Sequence, residues 1–418
     1  PQVLPDIADL LTTNKNKTEA VTRRLLSANL RVGQKKNAVR LVNYAIDNSN
    51  SSAMRAEALL CLRDWNRRPF VDRVEGQVRE LSKRNNESSK LLVEKNLNKL
   101  FETANGALLA ELIRLCEKLQ IKLRAGQLLV IAKSDTQDLA ARIQAIQSIK
   151  KQDPKPILNS LITLAKDNKH SIQVAAINKI AEIEPQNIAN ILNELWTTLS
   201  TQAQQAFIYS IGKNSSSEGD KILNTAFSSL LKGKLSKSLE LDVLVAAEKS
   251  KNPNLKKQLK KYEANQSAND SVSPYSSTLF GGDTEKGKHV YENHVAAQCV
   301  RCHNAGGKDN QVGPNLTGIG KRTDKNYLLR SLVDPSVDIA DGFNINVIEL
   351  TNGKSIIGRL KDKTKKIITL ISPEGKPQEI AATKIKKITA ANTSVMPPMG
   401  AILTKHEIRD LIAYLKTL

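Results

Sequence analysis

The pentapeptide Cys299-Val300-Arg301-Cys302-His303 has the form C-x-x-C-H. Two thiols held two residues apart can each form a thioether with one of the two vinyl groups of a haem. The next residue, His303, then stands under the iron as an axial ligand. The competing use of such a pair is half of a zinc site, which needs another Cys/His pair at ligand spacing. No second C-x-x-C occurs in the 418 residues. A methionine opposite the histidine would raise the reduction potential, and Ser394-Val395-Met396-Pro397-Pro398-Met399 supplies two.

The residues on either side read as a small helical domain. Asp283 is placed to cap a helix through Gly287, Val290 and Tyr291. Thr404-Lys405-His406-Glu407 has the form of a capping box, and Ile408, Leu411, Ile412 and Leu415 then share one helix face. A further helix runs from Tyr327 to Val333 and is stopped by Asp334-Pro335. From Gly342 to about Ala391 the apolar period changes to two. Strands are expected at 347–350, 355–360, 366–371, 378–381 and 385–388, with a hairpin at Thr351-Asn352-Gly353-Lys354 and a turn at Pro373-Glu374-Gly375. Without this small antiparallel β module, at about 342–391, residues 278–341 and 392–418 amount to 91 residues.

The region from Gly282 to Leu418 resembles the haem-binding domain of planctomycete-type cytochromes. The likeness is carried by Gly313-Pro314-Asn315-Leu316-Thr317-Gly318-Ile319-Gly320, by Tyr327-Leu328-Leu329-Arg330-Ser331-Leu332-Val333-Asp334-Pro335-Ser336 and by Ser394-Val395-Met396-Pro397, in this order around an inserted β segment. The resemblance implies a class I-like cytochrome c fold of normal size, with one haem c held covalently by Cys299 and Cys302. It implies that the Pro314 carbonyl orients His303 by accepting from its outer ring nitrogen. Met396 is the favoured sixth ligand, because its Met-Pro lies just upstream of the last helix, and Met399 is the rival. In small c-type cytochromes the first and last helices cross closely; Gly287 would permit this, with Tyr291 and Tyr414 as the aromatic contacts. Arg322 and Arg301 are candidates for the haem propionates and equally for solvated surface. His289 and His294 read as surface or packing histidines, with a bis-His haem as a further alternative. Such domains commonly end large extracytoplasmic proteins in which a β-propeller dehydrogenase comes first and HEAT repeats second. The present residues would be the repeat-plus-cytochrome portion.

Residues 1 to about 255 hold no catalytic motif but do repeat. Small-residue amphipathic segments begin at Asp135, Asp167 and Ser200, and Ala145, Ala176 and Phe207 align within them at intervals of 31 residues. An earlier copy starts at Ser51. Second apolar helices such as Ile157–Ala165 lie between copies. Two helices per repeat of this length predict an α-solenoid, with a non-repeating bundle as the alternative. The pattern resembles HEAT repeats, whose second helix often carries an arginine ahead of Ala-rich contact positions. Arg55 and Arg142 fit that place, whereas Gln173 and Gln204 depart from it. His170 falls at a helix start and reads as a solvated or capping residue. Residues 256–277 begin as a basic helix end and become small, polar and turn-rich, the composition of an interdomain linker. The expected order is therefore 1–255 HEAT-like repeats, 256–277 linker and 278–418 haem domain, mainly α throughout.

Aromatic residues are only 4% of the chain, so the core must be largely aliphatic, which favours helical packing over a β-sandwich. No apolar run approaches the ~18 residues needed to span a bilayer. The net charge of +21 suits a solvated surface, an acidic redox partner, or an anionic polymer or lipid. The haem motif favours the redox partner, since electrostatic steering serves short-lived encounters, and no nucleic-acid motif is present. Cys61 and Cys116 lie in Leu-rich helical segments and read as buried thiols, with a disulfide between them as the alternative. No charged-then-apolar leader follows Pro1, so the sequence is expected to be a processed or truncated piece of an exported product. Haem c is attached outside the cytoplasm, which places the protein in the periplasm or at the cell surface. The function expected is that of a monohaem cytochrome moving single electrons from a dehydrogenase domain or subunit to a downstream carrier. Two other classes remain open: a HEAT-repeat scaffold with an accessory haem, and an enzyme acting at an open haem, such as a peroxidase. No substrate site is visible in these residues.

Overall fold

The computed structural model of the chain describes residues 3–13, 18–67, 70–72, 74–150, 154–214, 216–265, 270–306, 312–372, 375–391 and 393–418. Its contacts divide it into two compact units, Pro1–Pro185 with Ile191–Ala203, and Gln186–Asn190 with Gln204–Leu418. The described fold is mainly helical with one small five-stranded antiparallel sheet.

In the first unit, helices Ser52–Arg63, Gly106–Lys118, Leu139–Ser148 and His170–Ile183 pack against one another in chain order. Helices Lys35–Ile46, Ala125–Lys133 and Pro154–Leu164 back them from a second layer. The layers form because each front helix carries small residues on its inner face. Ala58, Ala145 and Ala176 are all fully buried, as is Phe207 at the aligned position in helix Thr201–Lys213. The two aligned arginines do the same local job. Arg55 Nε donates to the Ala45 carbonyl at 2.7 Å and Arg142 Nε to the Ala132 carbonyl at 2.8 Å, each reaching ten residues back. Gln173 is too short for that reach, and its Oε1 instead accepts from the Ser200 N–H at 3.0 Å. Cys61 and Cys116 are both buried in one aliphatic cluster with Leu59, Leu62 and Leu112, and no disulfide joins them. A two-stranded ribbon, β1 (Phe70–Val71) with β2 (Val78–Arg79), was not legible in the sequence. Two residues per strand are too few to show alternation. His170 is the exposed first residue of its helix.

The second unit shows where the expected linker differs. Helix Pro253–Ala264, capped by Asn252, continues through the first half of it. Leu255 is fully buried and Leu259 nearly so, and the helix packs on Glu240–Lys249. The Lys-rich sequence hides an amphipathic helix whose apolar side is only two leucines wide. A 3-10 helix, Ser273–Leu279, takes up the end of the expected linker, and residues 266–269 lie outside the described residues.

Asp283 caps helix Thr284–Asn293 by accepting from the Glu285 and Lys286 N–H groups. Thr404 and Glu407 form the reciprocal capping box of the last helix, Lys405–Leu415. The two helices cross closely. A Cβ on Gly287 would collide with the Asp410 carbonyl, and the rings of Tyr291 and Tyr414 lie 5.5 Å apart. Val290, Leu329, Met399, Ile408, Leu411 and Ile412 fill the core around the crossing.

The inserted sheet comprises β3 (Ile345–Leu350), β4 (Ser355–Lys363), β5 (Ile367–Ile371), β6 (Pro377–Ala381) and β7 (Ile385–Ala391). Four strands run as a meander, and β7 returns to the free side of β3, giving the order β6-β5-β4-β3-β7. Gly353, at a φ of +80°, closes the expected β3–β4 hairpin. An irregularity in β4 between Leu360 and Asp362 lets this long strand bend. That bend allows the three-residue 3-10 turn Ala382–Lys384 to carry the chain from β6 to β7. Ile348, Ile368, Leu370 and Ile380 form the module's own small core. Pro373 and Glu374 of the expected turn lie outside the described residues.

Candidate functional site

Cys299–Cys302 forms a single helical turn, so the two thiols three positions apart share one side of it. The turn is entered through Gln298, whose φ of 45° is left-handed and unusual for a side-chain-bearing residue. Its backbone is held there: the Gln298 N–H donates to the His294 carbonyl at 3.1 Å, and the Gln298 carbonyl accepts from the Arg301 N–H at 2.9 Å. His303 follows in an extended conformation, its N–H donating to the Cys299 carbonyl at 2.9 Å.

Three contacts fix the His303 ring and backbone. Nδ1 lies 2.9 Å from the Pro314 carbonyl oxygen. A carbonyl can only accept, so Nδ1 carries the proton and Nε2 keeps its lone pair. The Tyr291 hydroxyl donates to the His303 carbonyl at 3.1 Å. Gly313 donates its N–H to the Cys302 carbonyl at 3.0 Å and passes close to the imidazole. A Cβ at Gly313 would fall 2.9 Å from His303 Cε1, so only glycine lets the loop close on the ring. Burial lowers the basicity of His303, and the Pro314 bond opposes this only in part. The ring is therefore neutral, the form a metal ligand needs. Burial also pushes the Cys299 thiol above the usual range.

The two methionines are placed differently. Met399 is 3% exposed and opens the 3-10 turn Met399–Ala401 inside the helical core. Met396 is only half-buried and packs against the edge of that same core, as Cys299, Leu316, Ile319 and Tyr327 do. Its loop is anchored at both ends of one short segment. The Ser394 N–H donates to Ser336 Oγ at 3.1 Å, and the Met396 N–H to Ser394 Oγ at 3.1 Å. Ser336 and Ser394, before and after the inserted sheet in the chain, thus meet.

Among the other sequence candidates, Arg322, Arg301 and His294 make side-chain contacts of their own. Arg322 is exposed and donates to the Asn315 carbonyl at 3.3 Å; Arg301 is exposed and donates to Gln298 Oε1 at 3.3 Å. His289 is exposed. His294 uses both ring nitrogens, Nδ1 accepting from the Ala297 N–H at 3.0 Å and Nε2 facing Glu407 at 3.6 Å. The roles of Tyr291 and Gly313 as supports of His303 were not legible in the sequence. Tyr291 was visible only as an aromatic in contact with Tyr414, and Gly313 only as part of a Gly-Pro turn. Among the described residues no three His, Cys, Asp or Glu side chains converge as a metal-binding group, so the zinc alternative finds no further ligands there.

No family model matches the chain, and no curated protein matches it. No helix among the described residues is long and apolar enough to cross a membrane.

Proposed function

We propose that the chain is an extracytoplasmic monohaem cytochrome of the c type, with a HEAT-like solenoid ahead of a class I-like haem domain. It takes single electrons from a dehydrogenase domain or subunit and passes them to a downstream carrier. The observation that carries this reading is the state of His303. It directly follows a helical turn bearing two thiols, its Nδ1 is occupied by the Pro314 carbonyl, and its Nε2 keeps its lone pair with no hydrogen-bond partner among the described residues. A buried structural histidine has no need of a glycine-lined seat that enforces one tautomer; a proximal ligand does.

Cys299 and Cys302 would hold haem c by thioethers, and His303 and Met396 would be the ligands to its iron. When bound, haem c supplies a one-electron ferric–ferrous couple. The rest is done by the chain. Pro314 fixes the His303 tautomer and raises its basicity as a ligand. Tyr291 and Gly313 hold the backbone on which that ring is mounted. The apolar core behind Cys299, Leu316 and Met396 keeps water from one side of the site, which favours the less charged redox state.

Purified exported protein should carry a haem that survives acid–acetone extraction, with a weak methionine–iron charge-transfer band in the oxidised form. Met396→Ala should abolish the band while keeping the covalent haem. Protein exported with an intact haem-attachment system but carrying no covalent haem would refute the reading.

A further inference from the structure

We infer that the end of the inserted sheet farthest from His303 is a docking surface for an acidic protein, the electron-transfer partner; the inference rests on the function proposed above. Residues 345–391 hold ten Lys and Arg against four Asp and Glu, a net +6 in 47 residues, while the whole chain carries +21 in 418. Five of those lysines stand at three turns: Lys354 between β3 and β4, Lys363 at the very end of β4 with Lys365 and Lys366 ahead of β5, and Lys384 before β7.

Backbone hydrogen bonds draw the turns together. The Ala382 N–H donates to the Lys366 carbonyl at 2.8 Å, the Thr351 N–H to the Lys384 carbonyl at 2.9 Å, and the Leu350 N–H to the Lys354 carbonyl at 2.8 Å. All five side chains are exposed. Among the described residues none of the five is in an ion pair, whereas the neighbouring Lys386 is held by Glu349 at 2.7 Å. Like charges gathered without counter-ions do not stabilise a fold; they raise the local potential and the capture rate for an oppositely charged partner.

The chemistry selects the partner class. The three turns offer lysine but neither arginine nor an aromatic ring. Bidentate phosphate recognition and base stacking, the marks of specific nucleic-acid recognition, lack their groups. A membrane surface calls for aromatic or long apolar side chains beside the charges; the turns themselves hold none, and Ile367, at the start of β5, is the exposed apolar residue next to them, at 42%. One apolar spot in a rim of hydrated charge suits a short-lived protein contact.

The opposite end of the module adjoins the site. Gly375, after β5, comes so near the loop before Gly313 that a Cβ would lie 2.8 Å from Val312 Cγ2. Strands of ordinary length place the basic end roughly 17–20 Å from that loop. A protein face of about 800 Å² is wide enough to touch the lysines and still reach the loop.

The test uses a small acidic [2Fe–2S] ferredoxin as probe. Binding of the dye-labelled oxidised ferredoxin to the full chain is followed by fluorescence anisotropy. Reduction of the holoprotein by the reduced ferredoxin is followed by stopped flow. One electron leaves the ferredoxin cluster and arrives at the ferric haem, with no proton or group transferred. The triple variant Lys363→Glu, Lys366→Glu, Lys384→Glu should bind and react about tenfold more weakly at low ionic strength, and match the wild type at high salt. Replacing the same three with Gln should give an intermediate loss. Lys95→Glu, Lys99→Glu, Lys118→Glu, an equal change of net charge on exposed positions of the first unit, should change either rate less than twofold. Reduction by neutral hydroquinone should be the same in all variants. The docking surface is refuted if the first triple behaves as wild type, if the control triple loses as much, or if the wild type is retained by phosphatidylserine vesicles and not by ferredoxin. The anisotropy arm reads docking without haem, and the haem spectrum reads the cofactor assignment, so the two ideas fail separately.

Discussion

Asp242 and Arg409 form a buried ion pair, Oδ2 to Nη1 at 2.7 Å, with the side chains 3% and 6% exposed. The other Asp242 oxygen is 3.0 Å from His406 Nε2. Arg409 Nε also reaches Asp410 Oδ1 at 3.4 Å, and that oxygen accepts from the Asp283 N–H at 2.9 Å. Helix Glu240–Lys249 is thereby tied to the last helix and, through it, to the cap of Thr284–Asn293. Removing one partner leaves the other charge buried and uncompensated, which costs about 3–5 kcal/mol. Asp242→Asn should therefore lower unfolding stability by that order in urea titrations. The double variant Asp242→Asn, Arg409→Met should recover part of the loss. A single-variant loss under about 1 kcal/mol would show that the pair contributes little.

Arg142 is the corresponding connector in the first unit. It is 4% exposed, donates to the Ala132 carbonyl, and pairs with Asp135 at 3.0 Å and with Asp167, just ahead of the next front helix. Arg142→Ala would strand the largely buried Asp167 carboxylate, and should cost roughly 2–4 kcal/mol. Arg55→Ala removes bonds to Ala45 and Thr103 and should cost a similar amount. Gln173→Ala deletes one bond to the Ser200 N–H and should cost about 1 kcal/mol. Equal losses from all three in thermal unfolding would mean that the aligned positions are not doing different work.

Met399 and Met396 should separate cleanly in experiment. Met399→Ala empties a site in the helical core and should cost about 2–5 kcal/mol, while leaving the methionine–iron band in place. Met396→Ala should abolish the band at a smaller cost in stability, since its side chain is only half-buried. Near-infrared magnetic circular dichroism beside chemical denaturation reads both. Loss of the band in Met399→Ala with its retention in Met396→Ala would reverse the ligand assignment.

Burial pushes the Cys116 thiol up to about 12 from an ordinary 9.0. Below pH ~9 the thiol is protonated in folded and unfolded chains alike and adds no pH dependence. Between about 9 and 12 the unfolded chain releases a proton that the folded chain keeps, so stability falls as pH rises through that window. Cys116→Val should flatten the alkaline part of the stability curve relative to the wild type. The native thiol should also resist iodoacetamide at pH 8. An unchanged alkaline slope, measured by urea unfolding across pH, would contradict the burial.

What the amino-acid order decides in this protein is local. Asp283 and the Thr404–Glu407 box start their helices because each cap is closed within three residues. Asn352-Gly353 turns the β3–β4 hairpin because glycine adopts a positive φ without strain. The spacing of Cys299 and Cys302 puts both thiols on one side of the single helical turn that they bound. Period and spacing likewise brought out the helix pairs and the five strands, while the strands of the β1–β2 ribbon were too short to have a period. What only the tertiary structure decided joins residues far apart in the chain: Asp242 with Arg409, Ser336 with Ser394, the lysines of three turns gathered at one end of the sheet. Met396 and Met399 stand three residues apart in one motif, yet the packing of helices from both sides of the insertion buries one and leaves the other at the core's edge. Such pairings depend on which faces meet once the intervening stretches of chain have closed. The sequence carries no short-range signal for that, because the free energy deciding it is distributed over the whole core.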